Sequence, residues 1–580
     1  MTNIKRRTPE QHTLPDDLHP LLRRIYAARN VTDPTQLDMS LQSLPGHDQL
    51  KGMAQAAKRI ADAIEAGDKI LVVGDFDADG ATSCAVAVRG LRALGAGQVD
   101  FLVPNRFEFG YGLTPAIVGL AAKYSPDLII TVDNGIASIN GVNAANDAGI
   151  PVVVTDHHLP GDQLPDAAAI VNPNQPGCSF PGKSLAGVGV LFYVLLGVRH
   201  ELRTRGCFDA SAQPNLAMLL DLVALGTVAD VVPLDRINRV LVSQGLARIR
   251  AGQCCPGIHS LALIAGRPMH RLNTSDLGFF LGPRLNAAGR IDDMSLGIRC
   301  LLTDSAAEAR QLAETLDKLN LERRQIQQSM QDDADKALKE CTDGYEHRKS
   351  ICLYQPHWHQ GVVGLVASRL KERFHRPVIA FAPGDSGELK GSGRSIEGFH
   401  IRDALDRVAT RYPGLLHKFG GHAMAAGLSL DVKHLESFVD AFEETAGVLL
   451  DADSLVGSMY TDGELEPEHF NLEVAELLAR SGPWGQGFPE PAFEGEFSVT
   501  SKRLVGDNHL KLVLQPIKGG VDIEAIAFGM APDGVVPDLR RVYAVFRLEV
   551  NDFRNRIVAQ LRIEHLEPAP SSFGPTVEIP

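Results

Sequence analysis

The sequence predicts an α/β protein of several domains: a parallel sheet in the N-terminal half, a smaller α/β unit joined to it by one long helix, and a C-terminal β-barrel. Three observations carry this expectation. Apolar runs at 70–73, 99–103, 128–132, 152–155 and 168–171 alternate with Ala-rich helical stretches such as 81–94. That is the pattern of parallel strands buried on both faces and linked by crossover helices. Residues 306–340 space Leu312, Leu316, Leu319, Ile326, Met330 and Leu338 along one helical face, with charges between them and no Pro or Gly, as in an amphipathic spacer helix. Short alternating segments at 496–500, 509–514, 523–528, 541–550 and 557–565 crowd the C-terminal region, as in a small barrel.

Taken in order, the elements divide the 580 residues into an N-terminal segment with the parallel-sheet domain (1–305), the connecting helix (306–345), the second α/β domain (346–453), the barrel domain (454–567) and a Pro/Ser-rich tail (568–580) expected to be disordered. The stretch 214–304 reads as mostly helical. The second α/β domain has strands at 351–354 and 378–381 and a glycine-rich end at 418–427. GPWGQGFPEP, at 482–491, marks a turn-rich hinge before the barrel.

Composition, 44% hydrophobic and 22% charged, is that of an ordinary globular enzyme. A net charge of -14 argues against nucleic-acid binding by bulk charge, although basic groups gathered in one groove remain compatible with it. No apolar run approaches the roughly 20 residues of a membrane span, and the charged N-terminal residues lack the apolar core of a secretion signal. Eight cysteines without a regular framework fit reduced thiols and a cytoplasmic location. Adjacent Cys254 and Cys255 lack a second pair at zinc-finger spacing.

The chemistry concentrates in GDFDADGATS (74–83), directly behind the apolar run 69–73. Asp75, Asp77 and Asp79 sit where a strand gives way to a loop, and Gly80 is expected to open the next helix. Like charges so close to a core repel one another and are poorly solvated, and a divalent cation is the simplest counter-charge. Asp133 in TVDNG, the triplet Asp156-His157-His158 and Asp230 repeat the pattern of an acid or imidazole just after an apolar run, at what read as successive strand ends. In a parallel sheet such ends converge on one edge. Aspartate with imidazole favours Mn²⁺ or Mg²⁺ over a zinc-thiolate site. Asp75 and Asp77 could face one ion or two, with Asp133 the natural bridge.

A second set of motifs is rich in glycine. FGGHAMAAG (419–427) offers closely spaced backbone N–H groups around His422, and Gly391, Ser392, Gly393 and Arg394 read as a further small anion cradle in which Arg394 can fork onto a phosphate. Lys502, Arg503, Lys511, Arg540, Arg541 and Arg547 interleave with Phe497, Tyr543 and Phe546 in the barrel segment. This is either a stacking platform for single strands or a core with solvated charges.

GDFDADGATS, TVDNG, TDHH and GTVADVVPL, in that order, resemble the motifs of the DHH phosphoesterase superfamily. GPRLNAAGRI (282–291), HWHQGVVGLVASRL (357–370), GSGRS (391–395) and FGGHAMAAG narrow the likeness to its bacterial single-stranded-DNA-specific exonucleases, over nearly the whole chain. The resemblance implies a DHH domain, a DHH-associated domain and an OB-fold-like barrel. It implies two ions, Mn²⁺ or Mg²⁺, held by Asp75, Asp77, Asp133, His157 and Asp230, with Asp79 and Asp156 orienting ligands and His158 facing the scissile phosphate. Asp77, Asp79, Asp133 and His158 form the implied catalytic set. Some relatives place a His ahead of the first Asp-x-Asp where Val73 and Gly74 stand here, which implies fewer protein ligands for one ion.

By the same resemblance Ser392, Arg394, Gly420, Gly421 and His422 hold a nucleotide phosphate. Arg106, Arg284 and Arg290 are either further backbone contacts or ordinary salt bridges, and His359 either touches substrate or caps a helix before Gly361. The implied activity is 5′→3′ digestion of single-stranded DNA to mononucleotides in recombinational and mismatch repair. A monomer acting beside a helicase and a single-strand-binding protein, away from any membrane, is the implied setting.

Overall fold

An all-parallel sheet organises the larger of the two units into which the chain divides, formed by residues 4–282, 298–310 and 460–580. The computed structural model describes residues 3–105, 109, 111–208, 213–340, 347–384, 387–531, 534–553 and 556–569. Strands β1 (Lys69–Gly74), β2 (Gln98–Leu102), β3 (Leu128–Val132), β4 (Val152–Thr155) and β5 (Ala169–Val171) lie in the order β2-β1-β3-β4-β5, every pair parallel. The Val- and Ile-rich runs of β1, β3 and β4 are buried on both faces, whereas β2, at the edge, exposes Gln98 and Asp100; Leu71, Val73, Ile129, Val152 and Val154 pack with Ile117, Val118, Val142 and Ala145 in one cluster. Helices α1 (Ala78–Ala93), α2 (Gly187–Thr204), α3 (Leu220–Ala229) and α4 (Arg236–Arg250) follow. Gly90 lets α1 and α2 approach, since a Cβ there would stand 2.4 Å from Leu195 Cδ1. Because β1 has β2 on one side and β3 on the other, the chain leaves these strands in opposite directions and opens a crevice at their carboxyl ends.

Two local readings change. Helix α1 begins at Ala78, because Asp77 caps it and accepts from Asp79 N at 2.9 Å and Gly80 N at 3.0 Å; Gly80 therefore lies within the first turn. Asp230 ends a helix, α3, not a strand. Its apolar run is enclosed all round and so lacks the period that would distinguish helix from strand.

The second unit takes in residues 1–3, 283–297 and 311–459. Helix α5 runs unbroken over Ala306–Glu340, and its Met330 and Ala334 are buried in this unit's core. Strands β6 (Ile351–Tyr354), β7 (Val378–Pro383), β8 (Glu388–Arg394), β9 (Lys418–Gly421) and β10 (Ala425–Asp431) are ordered β9-β10-β8-β7-β6 and antiparallel except for β6 with β7. Helix α6 (Val363–Phe374) packs on one face, and α7 (Ile401–Arg411) and α8 (Leu435–Leu449) on the other.

In the first unit, β11 (Phe493–Val505), β12 (His509–Pro516), β13 (Ile523–Ala527), β14 (Arg541–Phe553) and β15 (Arg556–Pro568) close a barrel in the order β11-β12-β13-β15-β14. Phe497 and Phe546 lie in its core, 5.4 Å apart edge to face, so they form no stacking platform. Most of the interleaved cations are paired: Lys502 with Asp538, Lys511 with Glu524, Arg541 with Glu496, and Arg547 with Glu490 and Glu564.

Ahead of the barrel, Arg29 reaches Asp462 with two N–H groups at 2.6 and 2.9 Å, and donates to Ile25 O and Pro489 O. Both side chains are essentially sealed from solvent. Asp462→Asn strands the guanidinium's charge, and should lower the free energy of unfolding by about 3–5 kcal/mol in chemical denaturation.

Candidate metal centre

Each acidic residue is set by the element it terminates. After β1, Asp75 is 6% exposed. Gly80 allows the tight turn around it, since a Cβ there would come 2.5 Å from Asp75 O. Asp133 follows β3 with φ +61°, a left-handed conformation that Asp and Asn tolerate best among side-chain-bearing residues. Asn134 ties this turn down by donating to Val73 O at 3.1 Å and Val132 O at 2.9 Å. After β4, Asp156 is fully engaged. One oxygen accepts from His157 N, His158 N and His158 Nδ1 at 2.7, 3.1 and 2.7 Å, and the other from Ile136 N at 2.9 Å.

Asp230 sits at the C-terminal end of α3, where the helix dipole makes an acid least welcome. Asp79, wholly buried, is held by the opposite kind of end: its two oxygens accept from Gly187 N and Val188 N, at the start of α2, at 2.6 and 3.0 Å.

These placements bring the predicted ligands together. Donor atoms of Asp75, Asp77 and Asp133 lie within 4.8 Å of one another, as do those of Asp133, His157 and His158, and those of Asp79, His157 and Asp230. His157 Nε2 stands 3.2 Å from Asp133 Oδ1 and 3.6 Å from Asp230 Oδ2. Those two oxygens are shielded from solvent and accept no hydrogen bond from any described residue. Buried acceptors aimed at one point beside an imidazole nitrogen are what a hard divalent cation requires. Room for them depends on Gly187, where a Cβ would lie 2.6 Å from Asp133 Oδ1.

The electrostatics agree. Burial, reinforced by the neighbouring carboxylates, holds Asp79 and Asp133 well above the usual carboxylate range. Burial and Asp77 raise Asp230 to about 7. For His158, burial alone would lower the pKa, but the hydrogen bond and charge of Asp156, with Asp230 and Asp75, outweigh it and raise the group to about 9.

Sequence reasoning missed the residues that fix the imidazoles. Asn172 and Asn174, just beyond β5, donate to His158 O at 2.9 Å and His157 O at 2.6 Å. The rule that found the aspartates, polar residues directly after an apolar run, also points to VNPN. Tyr111 places its hydroxyl 3.1 Å from His158 Nδ1 and 3.2 Å from Asp133 O; no spacing signal singles it out.

The predicted substrate contacts fare unevenly. Arg106 lies outside the described residues. Arg284 is 7% exposed and pairs with Asp317 at 2.8 Å, the salt-bridge alternative. Arg290 donates to Gly361 O at 3.2 Å. His359 Nδ1 accepts from Gly361 N at 3.1 Å in the turn before α6, whose N-cap is Val362 without a side-chain bond, so His359 does not cap that helix.

The anion cradle at 391–394 is not a loop. It is strand β8, paired on both sides, so its backbone N–H groups serve the ladders. Gly391 and Gly393 face the core, where a Cβ would meet Phe381 and Ile401 at 2.6 Å. Ser392 and Arg394 face the other way, both 2.9 Å from where a Cβ on Gly364 of α6 would stand. Gly420 and Gly427 pair across β9 and β10, and Gly427 pairs with Ser392; a Cβ at either glycine would have no atom of a described residue within 4 Å. Gly421, at φ +134°, ends β9, and His422 opens the exposed turn of this hairpin, its N donating to Ala425 O at 2.8 Å. The phosphate-binding candidate is thus a strip of sheet stripped of side chains beside Arg394.

With this geometry in view, known proteins give a consistent picture. The DHH family N-terminal domain matches residues 69–227, the DHHA1 domain 348–447 and the RecJ OB domain 461–565. The chain is 52% identical over 572 residues, 97% of its length and 98% of the relative's, to the single-stranded-DNA-specific exonuclease RecJ of Escherichia coli (strain K12). This chain belongs to the RecJ family. RecJ of Bacillus subtilis (strain 168) is 34% identical, across 95% of this chain and 69% of that one. The crystal structure of Thermus thermophilus RecJ in complex with Mn²⁺ matches with a TM-score of 0.80 at 31% identity, covering 98% of this chain and 80% of that one. The Mg²⁺ complex gives 0.74 at 29% identity, covering 98% and 79%.

Carboxyl pKa values raised by folding favour the metal-free fold at low pH, and that contribution is lost as pH climbs from about 4 through about 7. The gain in melting temperature from Mn²⁺ should therefore be larger at pH 8 than at pH 6. Gly187→Ala, which crowds Asp133, should abolish most of that gain while leaving a folded chain.

Proposed function

We propose that this chain is a metal-dependent exonuclease that degrades single-stranded DNA 5′→3′ to mononucleotides. The observation that carries the reading is the convergence of Asp75, Asp77, Asp133, His157 and Asp230 from separate chain segments into overlapping donor groups. In this proposal those five residues would hold two divalent cations, and Asp133 is common to two of the donor groups. Such ions, when bound, supply Lewis-acid activation of a phosphodiester and of the water that attacks it.

The chain's own residues do the rest. Asp79, whose oxygens are taken up by the N-terminus of α2, braces the cluster and is better assigned to positioning than to the catalytic set. Asp156 keeps a proton on His158 Nδ1, and Tyr111 steadies the ring, so that a cationic imidazole offsets charge growing on the phosphate. On the second unit, the glycine-bared strip lets a nucleic-acid backbone lie close to the sheet, with Arg394 and Ser392 as donors to its phosphate. His422, in the turn of that hairpin, extends the surface.

The polarity, the mononucleotide product and the role in recombinational and mismatch repair, beside a helicase and a single-strand-binding protein, rest on the family resemblance of the motifs. Single strands labelled at the 5′ or 3′ end, digested with Mn²⁺, Mg²⁺ or EDTA, test the proposal. Label should leave the 5′ end first, as mononucleotide, and EDTA should stop the reaction. Asp77→Ala and His157→Ala should each cost about 10²–10³-fold or more in kcat. Full Mn²⁺-dependent activity in either variant rejects the site assignment.

A further inference from the structure

Arg239 is a buried cation that the nuclease chemistry does not use. It projects from α4 and is only 5% exposed. Its guanidinium makes no hydrogen bond or ion pair with any described residue, and its Nε is shut off from solvent without an acceptor. It lies over the face of Phe488, 4.3 Å from the ring centroid. Asp235, one turn earlier, spends an oxygen on Asn238 N at 2.9 Å as the cap of α4. Arg29 shows how this protein treats a guanidinium at similar depth: it receives a two-point carboxylate and two carbonyls. A buried charge left without such acceptors is costly.

Arg239 borders a cavity of about 150 Å³, whose walls include Leu18, Leu37, Met39, Pro483 and the rings of Tyr26 and Phe488. That volume suits a molecule about the size of benzene. The Tyr26 hydroxyl is committed to Ser481 O at 2.7 Å, so the guanidinium is the charged donor on the wall. Inorganic phosphate would meet Arg239 on one side and leave its other oxygens against hydrocarbon. A carboxylate on a short branched apolar tail satisfies both ends.

We propose that this cavity binds a small organic carboxylate, with its acid group forked by Arg239 and its tail packed among Leu18, Leu37 and Met39. The occupant would join segments far apart in sequence: the N-terminal segment, α4 and the turn at 481–488. That turn already bonds to the chain just beyond Asp230, through Leu234 N to Gln486 O at 2.7 Å.

Isovalerate is the probe, added to the full-length chain and followed by titration calorimetry and thermal melting. The native chain should bind it saturably and melt higher in its presence. Neutral isovaleramide and inorganic phosphate should each bind about tenfold or more weakly than isovalerate. Arg239→Met should weaken isovalerate by a similar factor, yet melt no lower than the native chain without ligand. Leu37→Trp, which fills the cavity and leaves Arg239 in place, should also lose binding, guarding against a folding defect at 239. A native chain indifferent to isovalerate, undiminished binding by Arg239→Met or Leu37→Trp, or tighter binding of phosphate than of isovalerate overturns the proposal.

Discussion

Repulsion among carboxylates that cannot reach water governs the DHH half of this molecule. Asp79, Asp133 and Asp230 are all pushed toward protonation by burial and by acidic neighbours. A fold that assembles such a group at neutral pH needs positive charge at the same point. Some comes from the partial charge at the N-terminus of α2, which partly offsets Asp79, and some from His158 on Asp156. What these leave unbalanced, at Asp133 and Asp230 around His157, is the part of the cluster that suits a divalent cation. Which acids remain open to a cation thus follows from which oxygens the backbone has already claimed.

Glycine acts on both units by removing obstacles. Gly187 and Gly80 clear space for Asp133 and for the turn at Asp75. In the second unit the glycines of one sheet serve different ends according to which face they occupy. Gly391 and Gly393 admit Phe381, Leu428 and Ile401 to the core, whereas Gly420 and Gly427 leave the open face bare. The bare positions are strand residues beside Ser392 and Arg394, where a ligand can come close to the backbone of the sheet.

Much of the site could be read from residue order. Apolar runs followed at once by Asp75, Asp133 or Asp156-His157-His158 announce parallel strands whose carboxyl ends gather acids and imidazoles, because the loops after such strands share one edge. The same rule, pressed further, reaches Asn172 and Asn174. It misreads Asp230, since an enclosed helix and an enclosed strand look alike in hydropathy. It is silent on Tyr111, whose hydroxyl meets His158 only through folding.

Local pattern alone thus determined the α/β class, the unbroken helix at 306–340, the barrel's strands and the identity of the acids and imidazoles, because each is written in short-range periodicity and spacing. Tertiary structure decided which oxygens are spent on backbone N–H groups, that the glycine motifs are strands and not loops, that Phe497 and Phe546 face inward, and that Arg284 is tied to Asp317. Those outcomes turn on what lies opposite a side chain after distant segments meet, and no stretch of sequence carries its own opposite face.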